Sequence, residues 1–511
     1  MAATSHPLAT EIAVAMLRDG GNAVDAAIAA SAVLAVVEPH MTGIGGDCFA
    51  LVAEPDGTLT GINGSGRSPS ALDAPSLGRS GHLALNSPHA VTVPGAIAAW
   101  EELSQRGRLG FEALLRPAIR LAREGFPVAP RVAADWAGMV GRLSANEGAA
   151  EHYLDGGRAP GPGEVWHLPA LADTLELIAV GSASAFYAGQ IGEEIVATLD
   201  ALGDGHGGTL GMDDLTRHRT EQVEPLLRDY RGHRIVELPP ANQGVTALTM
   251  MGLLERFDLD GLDPAGADKL HLEIETSRIA YADRDREVTD ADAMRTTTDA
   301  LLDPGRLDAL AASIDPQCAS NRRRAGGVHT DTVYLCVVDG EGRAVSFINS
   351  LFHGFGSCIC TPRSGVMLQN RGCGFALDPA HPNAIAPGKR PMHTLIPGLV
   401  MENDRVTLAF GVMGGSYQAH GHAHLLTNLI DHGMDPQAGL DSPRVFPEGD
   451  EVMVERGVPA SVVADLASRG HRAVPSPNAI GGGQAIRIDH ETGVLTGGSD
   501  PRKDGCAMGL A

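Results

Sequence analysis

The chain of 511 residues is poor in aromatic side chains, which make up 4% of it, and poorer still in lysine, which occurs only at Lys269, Lys389 and Lys503. With 39 Lys and Arg against 63 Asp and Glu, its formal net charge is −24. Such a surface repels phosphate backbones and anionic bilayers, so neither nucleic acid nor membrane is an expected partner. No apolar run reaches the roughly 18 residues that a spanning helix needs. The opening "MAATSHPLATEIAVAML" lacks the basic start and long apolar centre of a secretory signal, and a cytoplasmic location is the default expectation. The cysteines are Cys48, Cys318, Cys336, Cys358, Cys360, Cys373 and Cys506. An odd number in so long a chain reads as free thiols in a reducing compartment. Cys358 and Cys360 have no second such pair and no histidine at zinc spacing, so no metal is expected there. Thr42-Gly43-Ile44-Gly45-Gly46-Asp47 has the glycines of a phosphate loop but not its G-K-[ST] ending, and an apolar run, "CFALVA", follows it. No cofactor is expected.

What is present begins with an almost wholly apolar stretch, residues 26–37, which predicts a buried helix. The helix should end near Glu38-Pro39-His40, because a helix rarely continues through proline. Residues 95–260 alternate helical patterns, such as Glu112–Glu124 and Leu171–Val180, with turns, and read as mainly helical. Another helix is expected within 266–290. From residue 332 the pattern changes. Thr332–Val338 reads as a strand, Asp339-Gly340-Glu341-Gly342 as a tight turn, and Ala344–Ser350 as the returning strand. Arg405–Val412, Gln484–Ile488 and Gly493–Gly498 read as further strands. A helical first part therefore feeds a sheet-rich second part, with helices packed over the sheet. At this length two or three packed units are the prior.

Thr332 stands where the polar segment "GGVHTD" meets the apolar strand. A threonine hydroxyl is a weak nucleophile. It becomes reactive when the chain is cut before it, because the freed α-amine has a pKa of about 7.7–8 and serves as general base. That device needs a hydroxyl residue at the head of a buried strand, a loop that can be cut, and donors for an oxyanion. The first two are met at Thr332. Gly414-Gly415-Ser416, after one strand and ahead of a helical pattern, is a candidate for the third.

The sequence as a whole resembles the γ-glutamyltransferase (glutathione hydrolase) family of N-terminal-nucleophile hydrolases, on its glutathione-hydrolase-like and acylase-like side. The resemblance is carried by "ATSHPLATEIAVAMLRDGGNAVDAAIAA", "GIGGDCF", "ELPPANQG", "YADRDREV", "DTVYLCVVDGEGRAVSF", "PGKRPMHTLIP", "GGS", "SPRV" and "GGSDPRKDG", in family order. It implies an α+β fold, a four-layer αββα sandwich. It also implies that Thr332 is the nucleophile and that the precursor cuts itself between Asp331 and Thr332 by an N-to-O acyl shift. Residues 1–331 would then be a large subunit and 332–511 a small one, together forming one intertwined domain. Ser350 matches the family's second hydroxyl, and Gly414 and Gly415 match its oxyanion glycines.

Some positions depart from the family pattern. Where the family's carboxylate-binding arginine is expected stands Ser65, with Arg67 two residues on. Gly374 or Cys373 replaces the acidic residue that holds an α-amine. Phe352 replaces an asparagine, and His393-Thr394 replaces a Ser-Ser pair. The segment between Phe375 and Arg390 is short, so the site should be open. The expected activity is hydrolysis, or transfer, of γ-glutamyl or related small acyl amides of the glutathione type. Glutaryl (cephalosporin) or oxamate amides are the alternative, with an inactive binding homologue behind them. Arg67, Arg371, His393 and Thr394 are the candidate substrate-binding residues, with His393 a polar wall rather than a base. The expected partners are a small amide substrate and the two fragments of one precursor; no patch marks a dimer of them. His420, His422 and His424 resemble a metal cluster, but no carboxylate accompanies them at a known spacing, and packing or pocket lining is the expectation.

Overall fold

Val333 through Val338 are all buried, as the near-continuous apolar run demands of a strand covered on both faces. In the computed structural model, which describes residues 1–80, 83–203, 208–320 and 331–510, this strand is Asp331–Val338. The loop of arginines and glycines at 321–330, on which the expectation of a cleavable segment falls, lies outside the described residues. The strand pairs antiparallel with Ala2–Thr4 on one side and with Ala344–Phe352 on the other. Asp47–Ala53, Leu59–Gly64 and Glu221–Val223 continue the sheet from Ala344–Phe352, and Cys506–Met508 closes its other edge, giving seven strands. A second sheet runs Leu495–Ser499, Gly482–Ile488, Arg405–Met413, Gly398–Glu402, His233–Glu237 and Leu226–Tyr230, every pair antiparallel.

The two sheets stack face to face. Ser346 Oγ donates to the Phe410 carbonyl and accepts from the Gly398 amide, bridging them at 3.1 and 3.0 Å. A Cβ on Gly411 would lie 2.2 Å from the Tyr334 ring, so a side chain there would hold the sheets apart. Ala23–Val37, buried at every residue, covers the outer face of the first sheet with Pro7–Arg18, Ala96–Ser104 and Phe111–Glu124 around it. Gly244–Leu254, Ala267–Glu287 and Tyr417–Ile430 cover the second. The result is the four-layer αββα sandwich. No helix among the described residues is long and apolar enough to cross a membrane.

The stretch 95–260 is less uniformly helical than its sequence suggests. It contributes Glu221–Val223 to the first sheet and the hairpin Leu226–Tyr230/His233–Glu237 to the second. Arg231 and Gly232, at φ 50° and 84°, form the turn. The first residues also differ from expectation: Ala2–Thr4 is an interior strand, not a lead-in to a helix. Each sheet thus draws strands from both sides of residue 332.

Candidate active site

Thr332 and Ser350 sit near the same end of two neighbouring strands, both fully buried, with their hydroxyl oxygens 3.1 Å apart. Ser350 Oγ also accepts from the Phe352 amide at 2.8 Å. That bond accompanies a bulge between Asn349 and Phe352, beyond which Phe352 faces Asp331 across the ladder. Phe352 takes φ +84°, a strained value for a side chain of its size, and such strain persists only where the surroundings enforce it.

The glycine turn lies at the end of Arg405–Met413. Gly414 and Gly415 have φ +111° and +56°, conformations that glycine adopts without penalty. Tyr417 N–H donates to the Gly414 carbonyl and Gln418 N–H to the Gly415 carbonyl, at 3.0 and 3.2 Å, opening the helix Tyr417–Ile430. A trans peptide sets its N–H opposite its C=O. With those two carbonyls turned along the helix, the amides of Gly415 and Ser416 point back out of its N-terminus, where the helix dipole favours negative charge. The oxyanion donors of this turn are therefore the second glycine and the serine after it.

A layer of polar side chains fixes the turn. Gln243 Nε2 donates to the Gly415 carbonyl (3.0 Å) and the Thr394 carbonyl (2.8 Å). Arg284 donates to Gln243 Oε1 at 2.9 Å and to Ser416 Oγ at 3.3 Å, and its guanidinium lies over the Tyr281 ring. Tyr281 and Arg284 share a face of their helix, three residues apart, and the Tyr281 hydroxyl donates to the Ser416 carbonyl.

Arg371 and Thr394 join this group. Arg371 Nη1 donates to Thr394 Oγ1 at 3.2 Å, and its Cζ lies 3.7 Å from the centre of the Phe352 ring. The guanidinium is 1% exposed, and burial lowers its pKa to about 9. Its Nε and Nη2, which form one edge of the fork, have no hydrogen-bond partner. Asp47 Oδ2 is 3.8 Å from Nε, close enough to attract but too far to hydrogen-bond. Asp47 faces Ser350 across the ladder. It accepts from Gly66 N–H and Gln369 Nε2 on one oxygen, and from His393 Nε2, at 2.9 Å, on the other. Burial pushes its pKa up to about 7, against the pull of Arg371. His393 Nδ1 accepts from the Leu395 amide, which places the ring proton on Nε2, and burial beside Arg371 holds its pKa well below the usual range. His393 is a neutral donor to Asp47, packed edge-on against Phe49.

Arg67 is not brought into this group. Its Nη1 is committed to Asp290 (2.9 Å) and the Gly388 carbonyl (3.1 Å), with Glu221 close by. Ser65 Oγ donates to Asn63, while Arg390 donates to the Ser65 carbonyl and pairs with Glu221. Cys373 Sγ approaches the carbonyls of Leu83 and Ala84, and burial raises its pKa to about 12. The Gly374 carbonyl accepts from Asn383. The histidines of the Tyr417–Ile430 helix diverge, His422 to Glu237 on the sheet and His424 to Glu273 on the neighbouring helix. Among the described residues no group of three His, Cys, Asp or Glu is placed to hold a metal ion. Asp47, Gln243, Tyr281 and Arg284 escape a reading of single motifs. Their signal was membership in the blocks "GIGGDCF", "ELPPANQG" and "YADRDREV".

Comparison with known proteins places this geometry. The sequence model described as Gamma-glutamyltranspeptidase matches residues 9–510. The glutathione hydrolase-like YwrD proenzyme of Bacillus subtilis (strain 168) is 35% identical over 522 residues, covering 100% of this chain and 98% of that protein. The oxamate amidohydrolase proenzyme of Klebsiella pneumoniae subsp. pneumoniae is 35% identical over 525 residues, with the same coverage. Among solved structures, a cephalosporin acylase from Bacillus halodurans superposes with a TM-score of 0.93 at 40% identity, covering 100% of this chain and 96% of that one. By a match that runs over almost its whole length, the chain belongs to the γ-glutamyltranspeptidase family.

Proposed function

We propose that the protein is an autoprocessing amidohydrolase that uses Thr332 as an N-terminal nucleophile on amides whose small acyl group carries a carboxylate. The observation that carries this reading is the 3.1 Å contact between Thr332 Oγ1 and Ser350 Oγ, within a hydrogen-bonded group that extends through Phe352, Arg371, Thr394 and Gln243 to the Gly415-Ser416 turn. In the precursor, Thr332 Oγ1 attacks the Asp331 carbonyl carbon. The peptide C–N bond breaks to leave an ester and a free amine, and water hydrolyses the ester. The amine then takes the Oγ1 proton as Oγ1 attacks the substrate carbonyl. The amides of Gly415 and Ser416 stabilise the developing oxyanion, and such a donor is worth about a hundredfold or more in rate. The amine passes its proton to the leaving nitrogen, and water releases the acyl group from Thr332.

The empty edge of Arg371 favours an anionic acyl group over γ-glutamyl recognition through an α-amine. A planar fork with two unpartnered N–H groups matches a carboxylate in bidentate geometry. No acidic side chain replaces the family's amine holder at Gly374. The relatives named for oxamate and cephalosporin chemistry support the same choice. Hydrolysis is preferred to transfer because no second amino-acid clamp is visible beside the turn.

The test is a denaturing gel with N-terminal sequencing, followed by assays on glutaryl, oxamate and γ-glutamyl amides. Two fragments, the smaller beginning at Thr332, and faster cleavage of the acyl-carboxylate substrates are expected. A single uncut chain after long incubation would falsify the mechanism.

A further inference from the structure

A cavity of about 430 Å³ has Gly414, the first residue of the oxyanion turn, in its wall. Met41, His40, Arg131, Asp135 and Lys503 line it as well, whereas Arg371, Asp47, His393 and Thr394 do not. The carbonyls of His40 and Met41 accept from the amides of Phe355 and Leu351, at 2.8 and 3.3 Å. One wall is therefore tied to the chain that directly follows Ser350, and the other is the turn that faces the reacting carbonyl. With the acyl group on the Arg371 side, this cavity adjoins the opposite end of the scissile bond.

Its charge is unusual for this molecule. Lys269 is paired with Glu273, and Lys389 donates to the carbonyls of Pro382 and Ala384. Among the described residues the Lys503 ammonium has neither an ion pair nor an oxygen acceptor, and its one recorded contact is Met41 Sδ at 3.9 Å, a weak acceptor. Arg131, beside it, is neutralised by two contacts to Asp135. His40, 3% exposed, presents a buried Nδ1 with no partner. A half-buried cation without a counter-ion, next to an unsatisfied ring nitrogen, is an arrangement completed by an anion.

We propose that this cavity receives the amine half of the substrate and that Lys503 binds a carboxylate carried on it, so that the leaving group is an aminocarboxylate. The inference rests on Thr332 being the nucleophile, and its test separates the two. The kinetic arm compares glutaryl-3-aminobenzoate with glutaryl anilide, which share an acyl group and differ by the carboxylate on the amine. In Lys503→Met, KM for the aminobenzoate should rise about tenfold while the anilide changes less than about twofold. Lys503→Arg should restore most of the difference. Equal changes for both substrates overturn the proposal. The second arm needs no turnover: calorimetric titration of the full protein with 3-aminobenzoate, and with aniline as control. Binding of the aminobenzoate by wild type and its loss in Lys503→Met support the proposal even if neither amide is cleaved, a result that would sink the nucleophile assignment instead. No binding by wild type, or equal binding by both proteins, overturns it.

Discussion

The hydroxyl end and the arginine end of the site share Thr394 and Gln243, yet they use different physics. Around Thr332, Ser350 and the Gly415-Ser416 turn every group is neutral, and the field comes from aligned peptide dipoles held by Gln243 and Arg284. Around Arg371 the groups are ionisable, fully buried and only partly matched: a guanidinium with an empty edge, a carboxyl raised to about 7 and a neutral histidine. Dipoles stabilise charge that exists only during reaction, at no cost in the resting state. A buried, incompletely paired cation is costly at rest and recovers that cost when an anion arrives. Chemistry and selectivity should therefore be separable by mutation.

The largest effect tests the neutral end. Thr332→Ala should leave the chain uncut on a gel and lower kcat by about 10⁴-fold or more, since removing a nucleophile removes the pathway. Residual amidase activity at the wild-type level would place the chemistry elsewhere. Next comes the charged end. Arg371→Met combined with Asp47→Asn, which avoids leaving a lone buried carboxylate, should cut kcat/KM for a glutaryl amide by about 10²-fold or more. An acetyl amide should change far less, and equal losses on the two would erase the contrast between the ends. A smaller effect is expected where they meet. Gln243→Ala should lower kcat about tenfold with little change in KM, because it loosens the carbonyl of Gly415 rather than any substrate contact.

The smallest effect is a pH dependence. Burial raises Asp47 from 3.8 to about 7, so the folded protein holds that proton more tightly than the unfolded chain. The resulting stability is fully present below about pH 4 and is lost as pH rises through 7. The melting temperature of wild type relative to Asp47→Asn should fall across that range. A flat difference would mean that Arg371 and His393 keep Asp47 ionised throughout.

The neutral end was far more legible in the sequence than the charged end. Thr332, Ser350, Gly414 and Gly415 sit in local patterns, a strand head, a hairpin and a glycine turn, whose geometry follows from neighbours in the chain. Asp47 meets Ser350 only through strand register between residues some 300 apart, and no local pattern encodes that pairing. Arg67 and Arg371 looked alike as candidate cations. Asp290 and Glu221, remote in sequence, occupy the first, while no carboxylate lies within hydrogen-bonding distance of the second. In the fold, Leu226–Tyr230 and His233–Glu237 carried a readable alternation about the Arg231-Gly232 turn, which the surrounding helical patterns obscured. Ala2–Thr4 offered three small residues and no period to read.

The interleaving of strands from either side of residue 332 bears on what a cut at that point can do to the molecule. Ala2–Thr4 lies hydrogen-bonded between Asp331–Val338 and Cys506–Met508, and His233–Glu237 pairs with Gly398–Glu402 in the other sheet. Hydrolysing one peptide bond there changes the number of chains without creating a separable part. Dilution should not dissociate the pieces, and either piece made alone would expose open sheet edges and half a core. Maturation of this kind adds an α-amine to a finished building and leaves every wall standing.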